Sequence, residues 1–130
     1  MRLSRKTDYA WMFLGMLKRE QEGVFVSVAA IAERNHLPQP FFEKIAMRLK
    51  AAGLLEAQRG INGGYRLCKN PAGITLAQVA QIFEEQKQVR CLESSRPNKL
   101  CAHTAICPVR KDWRILEVKM QKIFEETTLA

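Results

Sequence analysis

The sequence is poor in the residues that enzymes use for acid–base and nucleophilic chemistry. It has only two histidines, and no residues stand at a spacing typical of a nucleophile and its base. No apolar run approaches the roughly 20 residues that a membrane-spanning helix needs. Basic residues precede an apolar stretch near the N-terminus, but no small-residue cleavage site follows. We therefore expect a cytoplasmic protein that is not an enzyme and does not enter a membrane.

Acidic side chains are also scarce. The chain has 13 acidic residues against 21 basic ones, which gives a net charge of +8. Such a charge favours a polyanionic partner, although it says nothing about the fold. With 130 residues, 47% of them hydrophobic, the chain is long enough for one domain with its own core and needs no disulfides.

Cysteine is rare outside one short window. Three of the four cysteines, Cys91, Cys101 and Cys107, lie in that window, and Cys68 stands alone. Thiols stay reduced in the cytoplasm, so clustered cysteines there favour a metal or redox site over structural disulfides. Cys107 directly precedes Pro108 and a long helical pattern. The unsatisfied amides and the dipole at a helix start would favour its thiolate form.

Apolar residues recur at helical spacing in the first half of the chain. Helices are predicted over residues 4–19, 28–35 and 40–52, with Gly53 as the left-handed stop of the third. Gln39 is expected to cap the third helix. The buried face of that helix is expected to be Phe41, Ile45, Leu49 and Ala52. The tight turn between the second and third helices is typical of a helix-turn-helix motif.

The next segment predicts a β-hairpin. Residues 54–57 and 65–68 have the composition of paired strands, and a glycine-rich tip lies between them. Asn62-Gly63 in that tip is the strongest short hairpin signal. A hairpin directly after a helix-turn-helix is a wing. The predicted fold class is therefore mainly α with a small β-hairpin wing, a winged helix-turn-helix followed by a long C-terminal dimerisation helix.

The second half of the chain predicts a short helix, a loop and a long helix. Thr75 and Gln78 form a capping box for a helix that runs to residue 85, and no clear periodicity follows before Pro108. From there, apolar residues recur at alternating steps of four and three, which predicts one narrow apolar seam. The seam consists of Val109, Trp113, Leu116, Met120, Ile123 and Phe124. It needs a partner, either a second copy of the helix or its own domain.

We therefore divide the chain into three parts. Residues 1–85 are the predicted winged helix-turn-helix DNA-binding domain, residues 86–107 a cysteine-containing cluster-binding loop, and residues 108–130 a dimerisation helix.

Short motifs in a specific order extend over almost the whole chain. They are Met1-Arg2-Leu3, Thr7-Asp8-Tyr9-Ala10, Ile31-Ala32-Glu33-Arg34, Leu54 to Gly60, Gly63-Gly64-Tyr65, Asn70 to Thr75, the three clustered cysteines and Thr128-Leu129-Ala130. Together they resemble the Rrf family of bacterial winged-helix transcriptional regulators, of the IscR and NsrR type. The resemblance implies a homodimer with crossed long helices, DNA binding through paired winged helices, and often an iron–sulfur cluster in the loop before the long helix. Repression is the family's default activity.

The predicted DNA contacts lie on the helix-turn-helix, the wing and the N-terminus, where basic residues are concentrated. The recognition helix would enter the major groove of an operator, and a wing-tip arginine would reach the minor groove or a phosphate. Glu43 either accepts a hydrogen bond from a cytosine amino group or is an ordinary solvated glutamate. The predicted contacts are Arg2, Arg5, Lys6, Gln39, Glu43, Lys44, Arg48, Arg59, Asn62 and Gly63.

The resemblance implies a 4Fe–4S or 2Fe–2S cluster held by Cys91, Cys101 and Cys107, with a fourth ligand from elsewhere. Nitric-oxide-sensitive members of the family use an aspartate at the position of Asp8, donated across the dimer. IscR-like members use a histidine three residues after the last cysteine, where this chain has Arg110. The gap between the first two cysteines is longer than usual in the family.

Other ligand sets and chemistries stay open. His103 is an alternative fourth ligand, and the three cysteines with His103 could instead bind zinc. The cysteines could also act without metal as a thiol–disulfide sensor. A small iron–sulfur electron carrier would use the same ligands, but it would need neither a wing nor a basic face. Candidate signals are nitric oxide, oxygen, redox state and iron–sulfur status.

Overall fold

The computed structural model describes residues 2–85 and 106–130. Within these ranges the chain forms five α-helices, one short 3-10 helix and one antiparallel hairpin. In chain order they are α1 (Arg5–Lys18), α2 (Val28–Asn35), α3 (Gln39–Ala51), β1 (Leu55–Gln58), β2 (Gly64–Leu67), the 3-10 helix (Pro71–Gly73), α4 (Leu76–Phe83) and α5 (Arg110–Glu126). This is the expected winged helix-turn-helix with a long C-terminal helix. No helix in the described ranges is long and apolar enough to cross a membrane.

Side-chain caps begin three of the helices. Ser4 Oγ accepts the Thr7 amide 3.2 Å away, and Ser27 Oγ accepts the Ala30 amide at 3.1 Å. The capping box of α4 is confirmed, with hydrogen bonds of 3.2 Å and 3.0 Å between Thr75 and Gln78. These caps satisfy amides that have no partner within their own helix.

The turn between α2 and α3 depends on a left-handed histidine. His36 has φ 53° and ψ 46°, a region that histidine enters more readily than most residues. The cap prediction for Gln39 was wrong, because extended Pro38 occupies the cap position and Gln39 is the first helical residue. Pro40 then lies in the first turn, where its missing amide costs nothing.

The core lies between α1, α3 and α4. Its fully buried members include Phe13, Leu14, Ile31, Phe42, Leu49, Ile74, Val79 and Phe83. The predicted inner face of α3 was right at Ile45 and Leu49 but wrong elsewhere: Phe41 is half-buried and Ala52 exposed. Phe42 is buried instead because its ring packs between the α1 rings of Tyr9 and Phe13, with centroids 5.6 Å and 5.8 Å away.

The wing is a four-pair hairpin attached to the core by its second strand. Leu55 pairs with Leu67 and Gln58 with Gly64, one residue out from the predicted strand bounds. Tyr65 exchanges two backbone hydrogen bonds with Val26, of 2.9 Å and 2.8 Å, which fix the wing to the segment before α2. The tip closes with the Gly63 amide donating to the Gly60 carbonyl at 3.0 Å. Asn62-Gly63 therefore does not form the centre of a two-residue turn, although the hairpin that it predicted is present.

Helix α5 packs only one side against the domain. Leu116, Met120 and Phe124 are half-buried, and Met120 and Phe124 face α4. The remaining predicted seam residues, Val109, Trp113 and Ile123, are exposed. After the helix, Thr128 pairs with Thr75 and Leu129 is buried, so the last residues are fixed to the domain. The predicted seam is thus partly covered by the domain and partly exposed.

Candidate nucleic-acid interface and the cysteine segment

The outer face of α3 carries polar and basic side chains. Gln39 and Lys44 are exposed and Glu43 is half-buried. Gln39 Nε2 donates to Glu43 Oε1 at 3.5 Å, along one face of the helix. Burial, and next the negative charge of Glu43, raise the pKa of Tyr65 in β2. The Glu43 carboxylate of α3 therefore lies close enough to β2 to affect the charge environment of the wing.

Arg48 differs from the other basic residues of α3. Its guanidinium donates to the Ile82 carbonyl and lies 4.6 Å over the Phe83 ring. These contacts attach the recognition helix to the end of α4, so its assignment as a DNA contact stays a prediction. Lys44 and Lys50, by contrast, have no hydrogen bond or ion pair with the residues that the structure describes.

The wing tip combines exposed side chains with closely packed glycines. Arg59, Ile61 and Asn62 are exposed. A Cβ on Gly63 would overlap the Gln58 carbonyl, and one on Gly64, at φ +148°, would overlap the Val26 carbonyl. Gly63 therefore has a folding role whether or not it contacts DNA. The tip presents Arg59 and Asn62, both predicted DNA contacts, to solvent.

Arg66 belongs to the wing's own structure. Its guanidinium pairs with Glu56 at 2.7 Å, donates to the Gly23 carbonyl at 3.0 Å and lies 4.4 Å over the Phe25 ring. It contributes to the local positive charge, but its side chain is used to hold β2 against the domain.

The N-terminal segment is held in place by Glu84, just after α4. The Glu84 carboxylate accepts the Ser4 amide at 2.7 Å and the Thr7 hydroxyl at 2.6 Å. Thr7 is fully buried, and its hydroxyl is also 3.1 Å from Ser4 Oγ. Lys6 and Glu85 make an exposed ion pair at 3.4 Å. Arg2 and Arg5, predicted to bind DNA, are exposed on this same segment.

The end of α4 thus contacts two elements that carry predicted DNA contacts, the N-terminal segment and α3. We call residues 82–85 the junction. Through Glu84 and Glu85 the junction holds the N-terminal segment, and through Ile82 and Phe83 it holds Arg48 of the recognition helix. The next residue begins segment 86–105, which contains Cys91 and Cys101.

Of the predicted cluster ligands, Cys91, Cys101 and the alternative His103 lie outside the described residues. Cys107 is a half-buried thiol three residues before α5, and its carbonyl accepts the Arg110 amide at 3.5 Å. Asp8 is exposed in the first turn of α1. Residues 2–85 and 106–130 alone contain no group of three or more metal-ligating side chains.

The isolated cysteine has a different environment. Cys68 is exposed just beyond β2. Partial burial and then the Glu56 carboxylate raise the pKa of its thiol, and Arg66 and Lys69 oppose this only in part. Since the thiolate is the reactive form, the raised pKa lowers the reactive fraction of Cys68 at neutral pH.

Sequence reasoning missed the junction. The sequence predicted a helix that runs to residue 85, with Glu84 inside it, whereas α4 ends at Phe83 and Glu84 follows it. Nothing in the local pattern shows that the partners of Glu84 lie 80 and 77 positions away. The sequence shows only that Glu84 is a carboxylate near a helix end. This does not indicate that it binds Ser4 and Thr7.

Known proteins share this architecture. The Rrf2 family profile, described as an iron-dependent transcriptional regulator, matches residues 3–130. The HTH-type transcriptional regulator IscR of Cereibacter sphaeroides is 34% identical over 87 residues, which span 65% of this chain and 56% of that protein. The HTH-type transcriptional regulator CymR of Bacillus subtilis is 28% identical over 131 residues, which span 99% of this chain and 87% of CymR.

Solved structures agree with the sequence matches. The structure of B. subtilis CymR, described as the global cysteine regulator, matches with a TM-score of 0.77 and 26% identity, covering 99% of this chain and 93% of CymR. The relatives are transcriptional regulators, which confirms the expectation that the chain is not an enzyme. With the family profile extending over nearly every residue, the chain belongs to the Rrf2 family of DNA-binding transcriptional regulators.

Proposed function

We propose that the protein is a homodimeric, sequence-specific repressor whose affinity for its operator is controlled by an iron–sulfur cluster. The observation that carries this proposal is the junction. It is continuous with the cysteine segment and makes direct contacts with both the N-terminal basic segment and the recognition helix. A change in the cysteine segment therefore has a short physical route to the residues that would contact DNA.

The DNA-facing residues are assigned by their exposure and charge. Lys44 on α3, Arg59 and Asn62 at the wing tip, and Arg2 and Arg5 at the N-terminus are exposed. Lysine and arginine side chains neutralise phosphates and release counterions, so affinity should fall steeply with salt. Gln39 and Glu43, in the first turns of the recognition helix, are the candidates for base edges.

The chemistry of the donor set fits a cluster. Cys91, Cys101 and Cys107 would supply three thiolates, and Asp8, exposed at the start of α1, would supply a carboxylate from the second subunit. A bound cluster would supply reactivity toward nitric oxide or oxygen. A carboxylate is a harder and weaker ligand for iron than a thiolate, which suits a site that must respond.

The chain's own residues would convert that response into a change of affinity. Asp8 directly follows Thr7, whose hydroxyl is bound by Glu84 of the junction. A displacement of Asp8, or of the segment after residue 85, would therefore strain the hydrogen bonds that the Ser4 amide and the Thr7 hydroxyl donate to Glu84. Losing them would free Arg2, Arg5 and Lys6 from the position in which they face DNA.

The proposed dimer uses the exposed residues of the α5 seam. Val109, Trp113 and Ile123 recur on one side of the helix and are exposed. Large apolar side chains along one side of a helix are costly to leave in water, and a second copy of the same helix would cover them symmetrically. In this assignment residues 1–85 bind DNA, 86–107 hold the cluster and 108–130 form the dimer.

The proposal is tested by anaerobic purification, a visible absorption spectrum, and assays of iron, acid-labile sulfide and zinc on the same sample. A brown protein with matching iron and sulfide, whose spectrum is lost in Cys107→Ser, is the expected result. A colourless protein that stays free of iron after anaerobic reconstitution would refute the cluster. Zinc in that sample would indicate a structural site in the loop.

A metal-free thiol switch is the second candidate. It is favoured by the similarity to CymR, since Staphylococcus aureus CymR, 25% identical to this chain, has been solved in an oxidised form. In this case peroxide would oxidise two of Cys91, Cys101 and Cys107 to a disulfide, or one of them to a sulfenic acid, and the change would act on the junction in the same way. A colourless preparation whose DNA affinity changes reversibly with peroxide and dithiothreitol would support it.

A further inference from the structure

The outer face of the recognition helix contains one large apolar side chain. Met47 is 63% exposed, the only large hydrophobic residue of α3 in that state. The buried residues of the helix, Phe42, Ile45, Ala46 and Leu49, lie on the opposite side. Met47 therefore takes no part in the core of the described domain.

The neighbours of Met47 are those expected of a DNA-reading surface. Residues three and four apart are adjacent on a helix, which puts Lys44 and Glu43 one turn before Met47 and Lys50 one turn after it. The two lysines have no partner among the described residues. If both reach phosphates, the thioether between them is directed at the floor of the groove, next to Glu43.

The major groove offers such a side chain a single apolar target. Base edges there present hydrogen-bond donors and acceptors, apart from the C5 methyl group of thymine. Methionine is unbranched and polarisable, and it adapts its shape to a small apolar partner. We propose that Met47 packs against a thymine methyl group and so selects thymine at one position of the operator. This proposal rests on the proposed function, because it requires sequence-specific binding through the major groove.

Replacing thymine by uracil removes only the methyl group and so tests the contact directly. The operator is first selected from random duplexes with the wild-type protein, and each thymine is then replaced in turn by deoxyuridine. Wild-type affinity should fall about threefold to tenfold at one position, the effect of losing one buried methyl contact. Met47→Ala should bind the thymine operator more weakly than the wild type by about the same factor. Its affinity should not fall further when that thymine is replaced by deoxyuridine.

Two matched variants separate this contact from general effects. Met47→Leu keeps an apolar side chain and should retain most of the preference for thymine over uracil. Lys50→Ala should weaken binding to all sequences and lower the salt dependence, while leaving the response to uracil intact. Met47 is exposed, so thermal unfolding of Met47→Ala should match the wild type.

The outcomes distinguish the inference from the function on which it rests. If selection yields no preferred sequence, the proposed sequence-specific function fails, and the inference with it. If an operator is found but wild type binds every uracil version equally well, the inference alone is overturned. The same holds if Met47→Ala keeps the full uracil effect.

Discussion

Removing the Glu84 carboxylate should destabilise the domain far more than removing its neighbour. Glu84 accepts hydrogen bonds from the Ser4 amide and the Thr7 hydroxyl at 2.7 Å and 2.6 Å. Hydrogen bonds to charged groups contribute about 1.5–3 kcal/mol each. Because Glu84 is only half-buried, we expect Glu84→Ala to lower the free energy of unfolding by about 2–4 kcal/mol in total.

The assay is thermal and urea unfolding followed by circular dichroism. For a chain of this length the loss corresponds to a fall in Tm on the order of 10 °C. Glu84→Gln keeps an acceptor oxygen and should lose about half as much as Glu84→Ala, since the bonds are no longer charge-assisted. Thr7, fully buried and still within reach of Ser4 Oγ, limits the damage.

The matched control is Glu85→Ala. Its ion pair with Lys6 at 3.4 Å joins two exposed side chains and should contribute at most about 0.5 kcal/mol. If Glu84→Ala and Glu85→Ala reduce stability equally, the reasoning about the junction is refuted.

Three further predictions follow from the wing and its surroundings. Gly64→Ala should destabilise the domain by about 2 kcal/mol or more, because its Cβ would overlap Val26 and its φ is unfavourable, and urea unfolding measures this. Arg59→Ala should weaken operator binding and lower the salt slope by about one charge without changing Tm, whereas an unchanged slope would argue against a phosphate contact. Cys68, quantified by peptide mass spectrometry, should be alkylated by iodoacetamide more slowly at neutral pH than an unperturbed thiol, since its raised pKa keeps the thiolate fraction low. Glu56→Gln should lower that pKa and accelerate the reaction, and an unchanged rate would contradict the charge effect.

Features determined by local sequence were predictable from the chain alone. The Thr75–Gln78 box and Gly53 each specify a helix end through local chemistry, and each has the expected conformation. The glycine-rich tip predicted the hairpin correctly, but it did not predict which residues form the turn. The difference arises because Gly64 must fit against the backbone of Val26, which is distant in sequence.

Features determined by tertiary packing were not predictable. Helical periodicity could not distinguish Phe41 from Phe42 as the core residue, since the choice depends on Tyr9 and Phe13 in another helix. For the same reason Arg48 was grouped with the DNA contacts, although its guanidinium is bound to the end of α4. Charge in a sequence marks a surface, but only the fold shows which charges already have partners. The ligand assignments of Asp8 and the clustered cysteines stay predictions.

The central claim is that the state of the cysteine segment controls DNA affinity. Its most direct test is a fluorescence anisotropy titration of the selected operator with one anaerobic preparation, before and after removal of its iron. The account predicts that the Kd changes on the order of tenfold or more, in the range typical of coupling between two sites. It also predicts that Glu84→Ala reduces this difference. An iron-containing protein that binds the operator with the same Kd before and after iron removal would contradict the account.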